Sequence, residues 1–149
     1  EKVDEEREEI EKICREQDMK NIVLDDRLNT LGNNISVGEK NIIVNPDYKQ
    51  KTIDYIKKET GYEVMRLSSE SFKAIGSTSK FLNGKYFFSQ DYDEEEVKDF
   101  IDEIGGVGTV NRGSNYVSSG IVGNKNGIII GSMSTSVEIQ NILESLNYI

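Results

Sequence analysis

The sequence predicts an α/β repeat protein, built from strand–turn–strand–helix units set in tandem. Three observations carry that reading. Gly32, Gly76 and Gly120 stand 44 residues apart, and each follows by four positions an apolar or aromatic residue: Leu28, Phe72 and Tyr116. After each glycine come a β-prone run, a polar turn and a second apolar run, namely Asn41–Val44, Lys85–Phe88 and Gly127–Ile130. Asp47, Asp91 and Thr135 repeat at the same spacing, with Gln50, Glu94 and Glu138 three residues further on. That pair is a capping box, in which a small polar side chain and a Glu or Gln satisfy the free amides of a helix start. A fixed period of this size marks a repeat architecture, because one such unit cannot bury its apolar face alone.

The register slips once. Val97, Phe100, Ile101 and Ile104 line one helix face, and Ile139, Ile142, Leu143 and Leu146 repeat that pattern 42 residues later. Asp93 with Glu96 is an equally good cap and fits the shorter spacing.

In chain order, Asp4 to Glu16 predicts a charged helix with Ile10, Ile13 and Cys14 on one side. In register, this is the closing helix of an earlier unit. Asn21–Leu24 and Gly32–Val37 read as strands, and Gly38-Glu39-Lys40 as the turn after them. Pro46 precedes a helix cap, where proline does no harm. The helix runs to about Thr60 and Gly61 stops it. Tyr62–Leu67 opens the next unit, Asn83-Gly84 is a hairpin signal, and Gly105-Gly106 ends its helix. Val107–Val110 opens the last unit, with a hairpin turn at Asn124–Gly127. The units are residues 1–20 (the end of a preceding one), 21–61, 62–105 and 106–149. No Pro-rich or low-complexity linker divides them, so they are expected to pack as one body.

Composition narrows the chemistry. The chain has 149 residues, a formal net charge of −9, no histidine and one cysteine. The acidic surface repels phosphate backbones and suits a basic protein partner. A lone Cys14 forms no internal disulfide, which favours a reducing compartment; it reads as a packing residue. No apolar run approaches the roughly 20 residues of a membrane span. Without histidine, general-base catalysis loses its usual proton shuttle, and zinc loses its usual ligands. The acidic run Asp91–Glu96 lacks the glycine and alternation of a calcium loop and reads as a helix start. Expected from this are no catalytic residues, no cofactor and no metal.

The most distinctive string is Gly108-Thr109-Val110-Asn111-Arg112-Gly113-Ser114. Read locally, Asn111–Ser114 is a turn. The string also resembles the hallmark of the last repeat of the translation initiation factor 6 family, the eukaryotic and archaeal ribosome anti-association factors. Val117–Val122, Thr135–Ile139 and Ile142–Leu146 agree with the same repeat. Arg27–Asn33 and Asn45-Pro46-Asp47 resemble the family's third repeat, where a histidine commonly stands at the Asn45 position. The resemblance covers essentially the whole chain and is weakest over residues 62–104.

The resemblance implies a pentein-type α/β propeller, a pseudo-fivefold toroid, of which this chain supplies three full repeats and the helix of a preceding one. It implies binding to the intersubunit face of the large ribosomal subunit, chiefly to basic ribosomal proteins near the sarcin–ricin loop. Contact with nucleic acid would be small. Bound there, the family blocks joining of the small subunit and takes part in large-subunit biogenesis. It is cytoplasmic, with a nuclear presence in eukaryotes, and monomeric when complete. Two rings of symmetry-related positions resemble its ribosome-facing residues: Leu28, Phe72 and Tyr116, and Asn33, Ser77 and Ile121. Asn33 matches a family interface asparagine, whereas Tyr116 replaces a smaller aliphatic residue. Two alternatives stay open: a repeat scaffold for another basic partner, and a remnant of a pentein enzyme such as a guanidine-modifying hydrolase, which needs a reactive Cys with His and acidic partners.

Overall fold

Three times in succession the chain makes a single helical turn, a β-hairpin and a helix. The computed structural model describes residues 2–149. A first helix, α1 (Lys2–Glu16), leads through irregular chain to a turn, α2 (Leu31–Asn34), the hairpin β1 (Ile35–Val37) and β2 (Asn41–Val44), and α3 (Gln50–Thr60). Next come β3 (Glu63–Arg66), the turn α4 (Ile75–Thr78), β4 (Ser79–Leu82), β5 (Lys85–Ser89) and α5 (Glu94–Phe100). The last series is β6 (Ile104–Gly108), a 3-10 turn at Val117–Gly120, β7 (Ile121–Asn124), β8 (Gly127–Ile130) and α6 (Ser136–Ser145).

Local chemistry explains the joints. Asn83 (φ 52°) and Gly84 (φ 82°) both take positive φ, the requirement of a tight hairpin whose twist matches its strands. Gly61 ends α3 at φ 73°. Asp93 caps α5 by accepting the Glu95 and Glu96 amides at 2.9 and 3.0 Å. Thr135 and Glu138 form the expected reciprocal box on α6. Asp47 and Asp91 do not cap: Lys49, without a side-chain bond, precedes α3, and Asp47 instead meets Lys73 at 2.9 Å.

Each hairpin receives a third strand from the segment that leads into the next unit. β3 runs parallel to β2, and β6 parallel to β5. Covered on both faces, β2 and β5 are almost wholly buried, which is why they read as continuous apolar runs. The core follows the same logic. Ile42, Val44, Tyr48, Ile53 and Ile56 pack together in the first unit. Ile43 crosses into the cluster of Ile75, Tyr86, Phe88 and Val97. Phe87 crosses into that of Val110, Val117, Ile121 and Ile142. Polar bonds stitch the first seam: the Ser36 and Ser79 hydroxyls meet at 2.8 Å, and the buried Tyr86 hydroxyl donates to Asn41 Oδ1 at 2.8 Å.

Three sequence expectations change. Asn21–Leu24 is not a strand; among the described residues no preceding hairpin offers it an edge. Gly32–Asn34 belongs to a helical turn, and the strand begins at Ile35. Gly105 and Gly106 do not end α5; they lie within β6. A side chain at either would collide with Ser145 of α6, so glycine there lets helix and sheet approach closely. The described residues do not close into a ring, because β8 pairs with β7 alone.

Candidate functional site

The three helical turns converge on one face. The residue entering each has nearly the same backbone: Thr30 (φ −83°, ψ 74°), Ala74 (φ −79°, ψ 67°) and Tyr116 (φ −83°, ψ 63°). That match fixes the equivalences. Leu31, Ile75 and Val117 open the turns; Gly32, Gly76 and Ser118 come second; Asn33, Ser77 and Ser119 come third. The third unit is therefore displaced by 42 residues, not 44, from its turn to its helix (Ala74 to Tyr116, Asp93 to Thr135).

This corrects the two predicted rings. Ser77 Oγ donates to Asn33 Oδ1 at 3.2 Å across the seam. Ile121 does not join them: it is the first residue of β7, 3% exposed, in the core. Ser119 takes its place, donating to the Tyr116 carbonyl at 2.8 Å. In the other ring, Phe72 and Tyr116 meet edge to face, with centroids 5.5 Å apart and planes at 67°. Leu28 is not with them. It packs on the first unit's core, and its carbonyl accepts the Tyr48 hydroxyl at 2.8 Å. Tyr116 is 49% exposed. Gly32, Asn33, Gly76, Ser77, Ser118 and Ser119 with Tyr116 line a shallow depression of about 320 Å³. Sequence reasoning missed Ser114, Ser118 and Ser119, which share this surface. The 42-residue spacing of the last helix, carried back through its unit, would have found them.

The loop that delivers Tyr116 is held by one carboxylate. Asn111, Arg112 and Gly113 take successive positive φ values of 53°, 63° and 95°. That turns the Arg112 and Gly113 amides onto Glu138, at 3.1 and 2.8 Å. Thr109 Oγ1 (2.7 Å), Thr135 N (2.7 Å) and Thr135 Oγ1 (3.0 Å) complete the cage. Burial alone would raise the pKa of Glu138, but donation from Thr135, Thr109, Gly113 and Arg112 outweighs it and holds the group at about 2. The carboxylate is thus a structural anion, fully occupied by the protein's own donors.

The surface offers hydroxyls, one amide and an aromatic edge. Such groups fit recognition of a partner by hydrogen bonding and aromatic contact. Among the described residues no group of His, Cys, Asp or Glu is arranged to hold a metal ion. Nor is any described helix long and apolar enough to cross a membrane.

Comparison with known proteins agrees with the sequence resemblance. Translation initiation factor 6 of Picrophilus torridus is 29% identical over 128 residues, covering 83% of this chain and 58% of that protein. Translation initiation factor 6 of Pyrococcus horikoshii is 29% identical over 135 residues, 89% of this chain and 60% of that protein. Eukaryotic translation initiation factor 6 of Ostreococcus lucimarinus is 32% identical over 129 residues, 82% of this chain and 51% of that protein. The chain thus spans somewhat over half the length of these relatives. The eIF-6 family profile matches residues 2–145, nearly from end to end, and the chain belongs to the eIF-6 family.

Proposed function

We propose that this chain is the ribosome-binding part of a non-catalytic translation initiation factor. It docks on the intersubunit face of the large ribosomal subunit, excludes the small subunit sterically and takes part in large-subunit biogenesis. In the whole protein, its three units form part of a pentein-type propeller. The partners are basic ribosomal proteins near the sarcin–ricin loop, drawn by the net charge of −9, and the factor works in the cytoplasm, with a nuclear presence in a eukaryote. Family membership supports this reading, as do the names of the relatives. The observation that carries it is the convergence of three equivalent helical turns, which presents Asn33, Ser77 and Ser119 beside the Phe72–Tyr116 pair.

Co-sedimentation with purified large subunits tests the proposal. Asn33→Arg and Tyr116→Asp change exposed side chains and leave the core intact. Each is expected to weaken binding about tenfold or more, as loss of a central interface contact does, with the circular dichroism spectrum unchanged. Undiminished binding by both variants would overturn the docking face. Failure of the unaltered chain to bind at all would overturn the function.

A further inference from the structure

The chain carries the two halves of one interface at its opposite ends. The interface occurs twice inside the chain, so its parts can be named. At the first seam Ile43 packs with Ile75; at the second, Phe87 packs with Val117. These four side chains are all 0% exposed. By the equivalence of the three units, Ile129 of β8 follows Ile43 and Phe87, while Leu31 of α2 precedes Ile75 and Val117. Ile129 is 72% exposed and Leu31 is 40% exposed.

The backbone repeats this pattern. β2 and β5 each take a parallel third strand from the segment entering the next unit, and β8 takes none. The segment equivalent to β3 at the front of the chain is 20–24. α1 ends at a left-handed residue, Asp18 (φ 51°), as α3 ends at Gly61 (φ 73°), and Gly61 leads directly into β3. Residues 20–24 form no strand. Ile139 of α6 agrees: it is 37% exposed, where its equivalents Ile53 and Val97 are 5% and 2% exposed. Open edges and unmatched apolar side chains of this kind template association.

We propose that these ends recognise each other between two copies of this chain. β8, Ile129 and Ile139 of one copy receive residues 20–24 and Leu31 of the next. The contact continues the two seams within the chain, with the same strand polarity and the same apolar pairing. Within one copy the second unit lies between the two ends, so the pairing is intermolecular. It is heterologous, head to tail, and every added copy leaves one acceptor and one donor free.

Light scattering on the purified 149-residue chain, measured as a function of concentration, tests this. The mass is expected to rise from 16.8 kDa to beyond twice that value. A single 16.8 kDa species at every concentration would overturn the proposal. Ile129→Lys spoils only the acceptor end, and Leu31→Lys only the donor end; both positions are exposed, so folding should survive. Each variant alone should be monomeric, and an equimolar mixture should yield a two-chain species and nothing larger, because one good interface remains. Continued association of Leu31→Lys by itself would mean that β8 edges pair with each other, and would refute head-to-tail docking. A mixture that stays monomeric would refute it as well.

Discussion

Glu138→Gln is the sharpest test of how the third unit is held together. The carboxylate accepts from five donors between 2.7 and 3.1 Å and is 9% exposed. A glutamine keeps the shape, but one of its two ends becomes a donor facing donors. The folded pKa of about 2 lies below the ordinary value of 4.5. A carboxylate whose pKa falls on folding adds stability above its unfolded pKa and loses it as the pH falls toward its folded one. At ~1.4 kcal/mol per unit, the anion contributes about 3 kcal/mol at neutral pH. Urea denaturation of the two proteins should show a gap of that order at pH 7. Between pH 7 and pH 3 the gap should narrow by about 2 kcal/mol, since most of the carboxylate's advantage lies in that window. A gap that is the same at both pH values would refute the argument, because it would show that shape and not charge holds the cage.

Two further pairs of substitutions separate the seams from the ends. Gly76→Ala would drive a methyl group into the Gly32 and Ile35 carbonyl oxygens, whereas a Cβ at Gly32 meets nothing within 4 Å. Thermal unfolding should show a loss of about 1–3 kcal/mol for Gly76→Ala and no loss for Gly32→Ala. Phe87→Ala, at a fully buried position, should cost about 3–5 kcal/mol. Ile129→Ala, at the equivalent position with 72% exposure, should change the stability of the dilute chain by less than about 0.5 kcal/mol.

Those pairs also show what was legible in the sequence. The tandem units, their hairpins and the caps at Asp93 and Thr135 could be read because turn and capping chemistry is local. The site could be read only in part. Between the first and second units the period of 44 holds, but α5 has 7 residues where α3 has 11, and a β-bulge at Tyr86/Phe87 takes up part of the difference. The third unit therefore arrives two residues early. Gly120 disguised this by keeping the 44-residue spacing for another reason. A Cβ there would strike Val110 and Asn111, whereas Gly76 is small to admit the neighbouring unit's backbone. Aligning the two glycines put Ile121 on the surface and left Ser119 out. The absence of a strand at 21–24 was equally illegible, because its β-prone residues need an edge, and an edge is a property of the fold.

Each incoming loop is tied to the helix start beside it through a carboxylate. In the first unit the carboxylate is on the loop: Asp26 accepts the Thr52 hydroxyl of α3 at 2.6 Å. In the third it is on the helix: Glu138, at the position of Thr52, accepts the amide of Arg112, at the position of Asp26. The second unit has acids at both places, Glu70 and Glu96, which cannot bond each other as anions; there Ser69 Oγ donates to Asp91 at 2.8 Å instead. The geometric demand is the same each time. A helix start exposes amides without partners, the incoming loop passes beside it, and one carboxylate in the gap can join the two. Either side of the gap can supply that carboxylate, so residue identity drifts while the contact persists. In the third unit the anion also gathers three consecutive left-handed residues and so fixes the approach of Tyr116 to Phe72. Rigidity at the aromatic edge therefore depends on a buried charge on α6, out of reach of any partner, and loss of that charge should loosen the docking face before it unfolds the protein.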